Sequence, residues 1–417
     1  MRDIAVIGAG ITGITTAHAL MDQGFDVTVY DRNRYAAMET SFANGGQLSV
    51  SNAEVWTSLG TVLKGLSWML KSDAPLLVNP MPSWAKYSWF AQFLANIPNY
   101  RRNTIETARL AMMAREALLD MADREGVPFD LERRGILHFY TDAKSMKAAG
   151  DVNALYAEAG LSRRHVDAEE IRALEPSLTG DFVGGYYTES DMTGDIHKFT
   201  TGLSNALVRK GAKIRYDARI ETVQADDLIR IRLASGEDHL HDGVVVCAGV
   251  ASRGFAAQLG DYVPIYPVKG YSVTVNLDAE SQPHAPWVSL LDDKAKIVTS
   301  RLGADRLRVA GTAEFNGANT DIRAERIRPL TDWVRSYFPG VSTEQVTPWA
   351  GLRPMMPSML PRVGRGRRAG VFYNTGHGHL GWTLAGATAR IVAGTIAEAT
   401  SATRPAPRPG LRGALVQ

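Results

Sequence analysis

The chain has 417 residues, 45% of them hydrophobic and 22% charged, with a formal net charge of +2. That length exceeds one ordinary core, the composition is that of a folded protein, and the near-neutral balance gives no footprint for nucleic acid or for a strongly charged partner. A single cysteine, Cys247, excludes an internal disulfide and any multi-cysteine zinc or iron–sulfur site.

The N-terminus enters a strand at once, so no secretory leader is expected. No apolar run reaches the roughly 18 residues a membrane span needs. The expected location is the cytoplasm, or the cytoplasmic face of the inner membrane. Ile4-Ala5-Val6-Ile7 is a short β-branched run of the kind buried in parallel sheets. Gly8-Ala9-Gly10-Ile11-Thr12-Gly13 follows, then a helix-periodic stretch ending at Gly24, then Asp26-Val27-Thr28-Val29-Tyr30 delivering Asp31. Gly8 makes the tight turn, Gly10 admits a pyrophosphate, and Gly13 lets helix and strand pack closely. The helix N-terminus supplies unpaired N–H groups for phosphate, and Asp31, about twenty residues on, is placed to accept from an adenosine ribose. Strand, turn, helix, strand and acid in this order predict a Rossmann-like dinucleotide domain. His18 reads as a packed or solvent-facing side chain.

Residues 39–49 form a polar, glycine-containing segment where a simple dehydrogenase would continue its sheet. No second GxGxxG and no Cys-x-x-Cys follows. If the cofactor is a flavin, nothing obvious binds a nicotinamide reductant, and the substrate itself must bring the electrons. Residues 55–102 hold four of the eight tryptophans (Trp56, Trp68, Trp84 and Trp89), interleaved with Lys64, Lys71, Lys86, Arg101 and Arg102. That mixture suits an interfacial membrane contact, and equally a segment packed on its own domain or on another subunit of an oligomer. A long helix is expected over 102–126. Strands are expected over 133–141, 217–223 and 243–249, the last holding Cys247, and alternating strands over 262–277 and 295–315. His197 and Lys198 fall at a helix start, where capping and surface roles are as expected as functional ones. Near the C-terminus, Asn374-Thr-Gly-His-Gly-His-Leu-Gly-Trp-Thr383 lies between a strand at 371–373 and a helix over 385–399. His377 and His379 stand at i and i+2 with no acid or cysteine to complete a metal set, so no metal site is expected. The glycines instead allow backbone to lie against a flat ring. The tail, 401–417, is Pro-, Arg- and Gly-rich and is expected to be disordered.

Glu39-Thr-Ser-Phe-Ala-Asn-Gly-Gly-Gln47, Gly376-His-Gly378 and Leu380-Gly-Trp-Thr383 together resemble the bacterial D-amino acid dehydrogenases. These belong to the flavoenzyme superfamily that includes D-amino acid oxidase, glycine oxidase and sarcosine oxidase. The resemblance spans roughly residues 1–400 and implies an α/β chain, α+β overall. A Rossmann-like FAD-binding domain (1–52, 190–260 and 345–400) would be interleaved with a substrate domain on a mostly antiparallel mixed sheet (53–189 and 261–344, with a helical insertion at 55–126). It implies non-covalent FAD held by Gly8, Gly10, Ile11, Thr12, Gly13, Asp31, Arg32, Thr40, Ser41, Asn44, Gly46, Gln47, Val223, Ala248, Gly249, Gly378, Leu380, Gly381, Trp382 and Thr383. It implies that Arg353, in Gly351-Leu-Arg-Pro354, clamps a substrate carboxylate, a role suited to a bidentate guanidinium. Tyr271 would hydrogen-bond substrate, and His379 would stand beside them. The implied reaction is oxidative deamination of D-amino acids to 2-oxo acids and ammonia, with electrons passed to quinone or another acceptor. His379 and Met355-Met-Pro-Ser-Met359 depart from the relatives' pattern and leave the substrate open: a secondary amine such as D-hydroxyproline, D-proline, sarcosine or an opine is the alternative, in an enzyme that could be one subunit of a complex. A flavin subunit lacking its own substrate site is the third reading.

Overall fold

The computed structural model describes residues 2–68 and 75–402. Its two main sheets match the expected fold class. The first has six strands in the order Arg362–Arg365, Val371–Thr375, Gly243–Val246, Asp3–Ile7, Asp26–Tyr30, Lys213–Arg215. All its pairings are parallel except that of Arg362–Arg365 with Val371–Thr375. Ile4 and Val6 face one core beneath the helices Ile11–Asp22, Ile196–Arg209 and Gly381–Ala402, while Ala5 and Ile7 face the other, beneath a three-stranded antiparallel sheet. Burial on both sides is why the strand is a continuous apolar run.

The second sheet has nine strands, mostly antiparallel. One strand in from its edge, Tyr266–Asn276 pairs on one side with Arg306–Phe315 and on the other with the edge strand Val346–Met355. Odd-numbered Tyr271, Val273 and Val275 pack beneath the helix Ala324–Tyr337. Even-numbered Ser272 points the other way, its Oγ donating to the Ala43 carbonyl at 2.8 Å. That second face meets residues 39–47.

Several expected boundaries move. Val346–Met355, expected among the FAD segments from 345 onward, is an edge strand of the nine-stranded sheet, because its ten residues pair in register with Tyr266–Asn276. The strand expected from Asp217 begins at Ile220, since Asp217 takes φ +52° in a turn. Cys247 lies just past the end of its strand rather than within it. The helix Gly381–Ala402 runs two residues into the expected tail, the rest of which lies outside the described residues. The long helix of the insertion is Tyr100–Glu125, closed by Gly126 at φ +62°.

In the insertion, tryptophan is used in opposite ways. Trp89 is buried, its indole N–H donating to the Met355 carbonyl at 2.9 Å, while Trp84 is 84% exposed. Lys86 does not face outward: its Nζ is buried on the carbonyls of Asn79 and Met81. Lys71 and the side chains of Lys64 and Trp68 lie outside the described residues.

Tyr100–Glu125 packs on Gly381–Ala402 through small side chains, and a β-carbon at Gly386 would stand 2.6 Å from the Ala114 carbonyl oxygen. Gly386→Val is expected to cost about 1–3 kcal/mol by overpacking, read as a lower midpoint in denaturant unfolding. An unchanged midpoint would contradict this helix pairing.

Candidate functional site

The turn after the first strand is shaped by contact rather than by flexibility. Gly8 adopts φ +106°, and any side chain at Gly13 would collide with the Gly8 carbonyl, so the helix Ile11–Asp22 sits directly on the turn. Asp31 stabilises the same turn, one carboxylate oxygen accepting from the Ala9 N–H at 2.6 Å and the other from the Asn33 N–H at 2.8 Å. The first-turn amides of that helix have no intrahelical acceptor and aim at a cavity of about 980 Å³.

Residues 39–47 join the two sheets around that cavity. Ser41 Oγ accepts from the Ile11 N–H at 3.1 Å, on the nucleotide-fold side. On the other side, Thr40 Oγ1 donates to the Leu352 carbonyl at 2.8 Å, Arg308 Nη1 donates to the Asn44 carbonyl at 3.0 Å, and Ser300 Oγ donates to the Gly45 carbonyl at 2.7 Å. Gln47 Nε2 donates to the Leu290 and Thr299 carbonyls, which leaves its buried Oε1 without a partner. The buried Trp382 Nε1 is likewise unsatisfied, and both residues line the cavity. Buried polar atoms left bare in a cavity wall are what a bound polar ligand would satisfy.

Arg353 projects from Val346–Met355 across the neighbouring strand. Its guanidinium lies over Gly270, where any side chain would collide with it, and Nη1 donates to the Thr312 carbonyl at 2.8 Å. Among the described residues no carboxylate pairs with it, and burial lowers its pKa to about 10, so it stays cationic at neutral pH. The Trp349 ring covers Gly351 on the same face. His379 stacks on Trp56, centroids 4.7 Å apart and planes 24° apart. Burial, reinforced by the charge of Arg353, holds the His379 pKa at about 3, so its ring is neutral. Neither ring nitrogen has a well-formed hydrogen bond, although the Asn52 backbone lies beside it. His377 is buried and bonded to Thr388 Oγ1 at 3.0 Å, and burial lowers its pKa to about 3.

Most sequence-chosen residues converge on this cavity: Gly8, Gly10, Ile11, Thr12, Asp31, Arg32, Thr40, Ser41, Asn44, Gly46, Gln47, Ala248, Gly249, Gly378, Leu380, Gly381, Trp382, Thr383, Arg353 and His379. Gly13 does not line the cavity but packs helix on turn, the role its place in the motif gave it. Two do not serve as expected. Val223 is buried in the core under the three-stranded sheet, and Ala218, Arg219 and Ile220 reach the cavity in its place. Tyr271 contributes to the wall, but its side chain belongs to the opposite face, where its hydroxyl donates to Glu314 at 2.9 Å. His197 and Lys198 receive the Asp195 helix cap through their backbone N–H groups, and Lys198 Nζ pairs with Asp130 at 2.8 Å.

Sequence reasoning missed a second wall. His138 and Tyr140 alternate with core residues Leu137 and Phe139 along Ile136–Tyr140 and so face the cavity. Ser51 Oγ and His138 Nε2 are 2.9 Å apart, and Ser51 is held through its N–H by buried Asp191 at 3.0 Å. Tyr156 and Arg163 complete this wall. They come from separate segments, and no motif in the sequence links them.

Residues 3–395 match the family model described as "FAD dependent oxidoreductase". The chain is 61% identical over 401 residues to D-amino acid dehydrogenase 3 of Mesorhizobium japonicum, covering 95% of this chain and 97% of that one. It is 39% identical over 416 residues to a D-amino acid dehydrogenase of Dechloromonas aromatica, covering 97% and 98%. The crystal structure of glycine oxidase from Geobacillus kaustophilus shares the fold, with a TM-score of 0.74 at 18% identity and 95% of each chain covered. With a nucleotide-type turn, a cavity lined by bare polar groups, and a family match over nearly its whole length, the chain belongs to the FAD-dependent oxidoreductases and is an oxidoreductase enzyme.

Proposed function

We propose that the protein oxidatively deaminates D-amino acids to 2-oxo acids and ammonia, holding FAD non-covalently and passing the electrons to a quinone. The observation that carries this reading is Arg353: a cationic guanidinium in a cavity wall, without an acidic partner among the described residues, on a strand that fixes its position. A carboxylate on the substrate is the natural complement, bound by parallel N–H donors. The names of the relatives supply the D-amino acid.

The bare polar atoms and the glycine turn fit FAD: the start of the Ile11–Asp22 helix would hold its phosphates, Asp31 its ribose, and residues 44–47 and 376–383 its ring. When bound, FAD supplies the acceptor for the hydride that leaves the substrate Cα. The chain's own residues bind and orient. Arg353 fixes the carboxylate, neutral His379 offers a ring nitrogen to the amine, and Trp56 and Trp349 close off water. The resulting imino acid is hydrolysed to the 2-oxo acid and ammonia. No general base is required of the protein if the amine enters uncharged. Non-covalent attachment is supported by Cys247, whose thiol burial pushes up to about 12, leaving it a poor nucleophile.

The quinone reading is supported by the exposed face of the insertion. Leu59, Leu63, Met81, Trp84, Tyr87 and Leu94 stand in solvent there. No helix among the described residues is long and apolar enough to cross a membrane, so the contact would be interfacial. With Lys86 turned inward, it would rest on apolar insertion rather than charge.

Four outcomes are expected. Anaerobically, D-alanine bleaches the flavin band and L-alanine does not; bleaching by D-proline and sarcosine alone would replace this reading with secondary-amine oxidation. Arg353→Met lowers kcat/KM for D-alanine by about 10² or more while FAD is retained, and an unchanged kcat/KM would remove the clamp. Since His379 protonates only near pH 3, kcat/KM shows no inflection from it between pH 5 and 8, and a limb in that range abolished by His379→Asn would show the ring to be charged. For the membrane contact, a Trp84→Ser/Leu63→Ser variant is expected to co-sediment several-fold less with phospholipid vesicles, and salt is expected to change wild-type binding little. Binding that collapses in salt would mean an electrostatic contact instead.

A further inference from the structure

Beyond the flavin and carboxylate positions, the cavity ends at a second cation that the proposed reaction does not use. Arg163 is only 9% exposed and approaches the Tyr140 hydroxyl, yet its Nε and Nη2 have no hydrogen-bond partner and no carboxylate pairs with it among the described residues. Its guanidinium carbon lies 5.1 Å from the Tyr156 ring and 5.1 Å from the Tyr186 ring. The rings fix its plane and keep bulk water away. His138 and Tyr140 stand on the same wall. Nearby acids are already engaged or exposed: Glu54 accepts from Tyr100 Oη at 2.6 Å, Asp293 pairs with Lys296, and Asp151 faces solvent.

The two cations share one continuous lining. His379, beside Arg353, adjoins the Asn52 backbone; the neighbouring Ser51 contacts His138; and the charge of Arg163 acts on His138. A buried, aromatic-flanked guanidinium with two bare donors is built for a second carboxylate rather than for a methyl or aryl group. A hydrophobic side chain would leave those donors unsatisfied, which is the penalty that confers selectivity.

We propose that Arg163 is a specificity-determining residue that binds the side-chain carboxylate of an acidic D-amino acid, D-glutamate or D-aspartate, while Arg353 holds the α-carboxylate. This rests on the D-amino acid reading above. It leaves the reaction unchanged and assigns the site a dicarboxylic substrate class.

The test compares kcat/KM for D-glutamate, D-aspartate, D-alanine and D-methionine in the wild type, Arg163→Met and Arg163→Lys. The wild type is expected to favour one acidic substrate over D-alanine by about tenfold or more. Arg163→Met should lower the acidic value by about 10²-fold and leave D-alanine within about threefold, with Arg163→Lys between. A merely structural arginine would lower both substrates together, and that result, or a wild type that oxidises D-alanine but neither acidic amino acid, overturns the proposal. Binding gives an independent readout: succinate, glutarate and adipate against butyrate, followed by perturbation of the flavin band in the holoenzyme. At least one dicarboxylate should bind about tenfold tighter than butyrate in the wild type, and the advantage should vanish in Arg163→Met. If no D-amino acid is turned over, the functional reading fails on its own, while this binding ratio still decides whether Arg163 forms an anion subsite. If Arg163→Met does not fold, the wild-type ratio and Arg163→Lys decide, and equal binding of mono- and dicarboxylates overturns the proposal.

Discussion

The arrangement of the site follows from a guanidinium buried without a counter-ion. Taking a cation out of water is costly, and no acid among the described residues offsets the cost at Arg353. The surrounding strands make the position tolerable. Gly270 leaves the space the guanidinium occupies, the Thr312 carbonyl accepts one N–H, and register pairing of Tyr266–Asn276 with Val346–Met355 prevents the side chain from swinging out. On the proposed reading, a substrate carboxylate would offset that cost and so concentrate binding energy on the one group common to every amino acid.

A fixed cation is useful only if it stands in a fixed relation to the flavin, and residues 39–47 set that relation. Their polar atoms bond to the Ile11–Asp22 helix on one side and to five strands of the nine-stranded sheet on the other. Thr40 and Gln47 donate to strand carbonyls, while Ser272, Ser300 and Arg308 donate from strand side chains to carbonyls of the segment, so the join reads both strand position and side-chain identity. A segment of this kind aligns two sheets without a large apolar interface between them, and the cavity is the space it holds open.

The nucleotide fold was legible in the sequence because its signals are local: a β-branched run, a glycine turn, a helix and an acid within about thirty residues. Arg353 was legible because its Gly-Leu-Arg-Pro setting belongs to a recognisable pattern. Tyr271 was misread for a geometric reason. Tyr266–Asn276 is buried on both faces, so hydrophobic alternation does not show which parity meets the cavity. Only the bond from Ser272 to Ala43 identifies the even residues as the inward set. Val223 failed because a positive-φ turn at Asp217 delays the strand by three residues. His138, Tyr156 and Arg163 gave no signal, because a strand, a helix and a loop supply them and no local pattern marks any of the three as cavity-facing. In the insertion, composition could not distinguish the inward Trp89 and Lys86 from the outward Trp84.

Burial also sorts the cavity's basic groups by charge. Desolvation disfavours the charged forms of Arg353, His379 and His138, but its consequence depends on where each group starts. Lowered from 12.5 to about 10, the Arg353 guanidinium remains charged at neutral pH; lowered from 6.5 to about 3, the His379 imidazole does not, and His138 is held well below its usual range by the same cause. A single physical effect therefore yields permanent cations for recognition and neutral rings beside them, with no acid required to set either state. The rings accept or donate hydrogen bonds without adding positive charge that would trap a carboxylate product. Replacing Arg353 by lysine would weaken this sorting, because an ammonium starts about two units lower and loses its charge more readily on burial. The choice of arginine at position 353 thus follows from how deeply that side chain is buried.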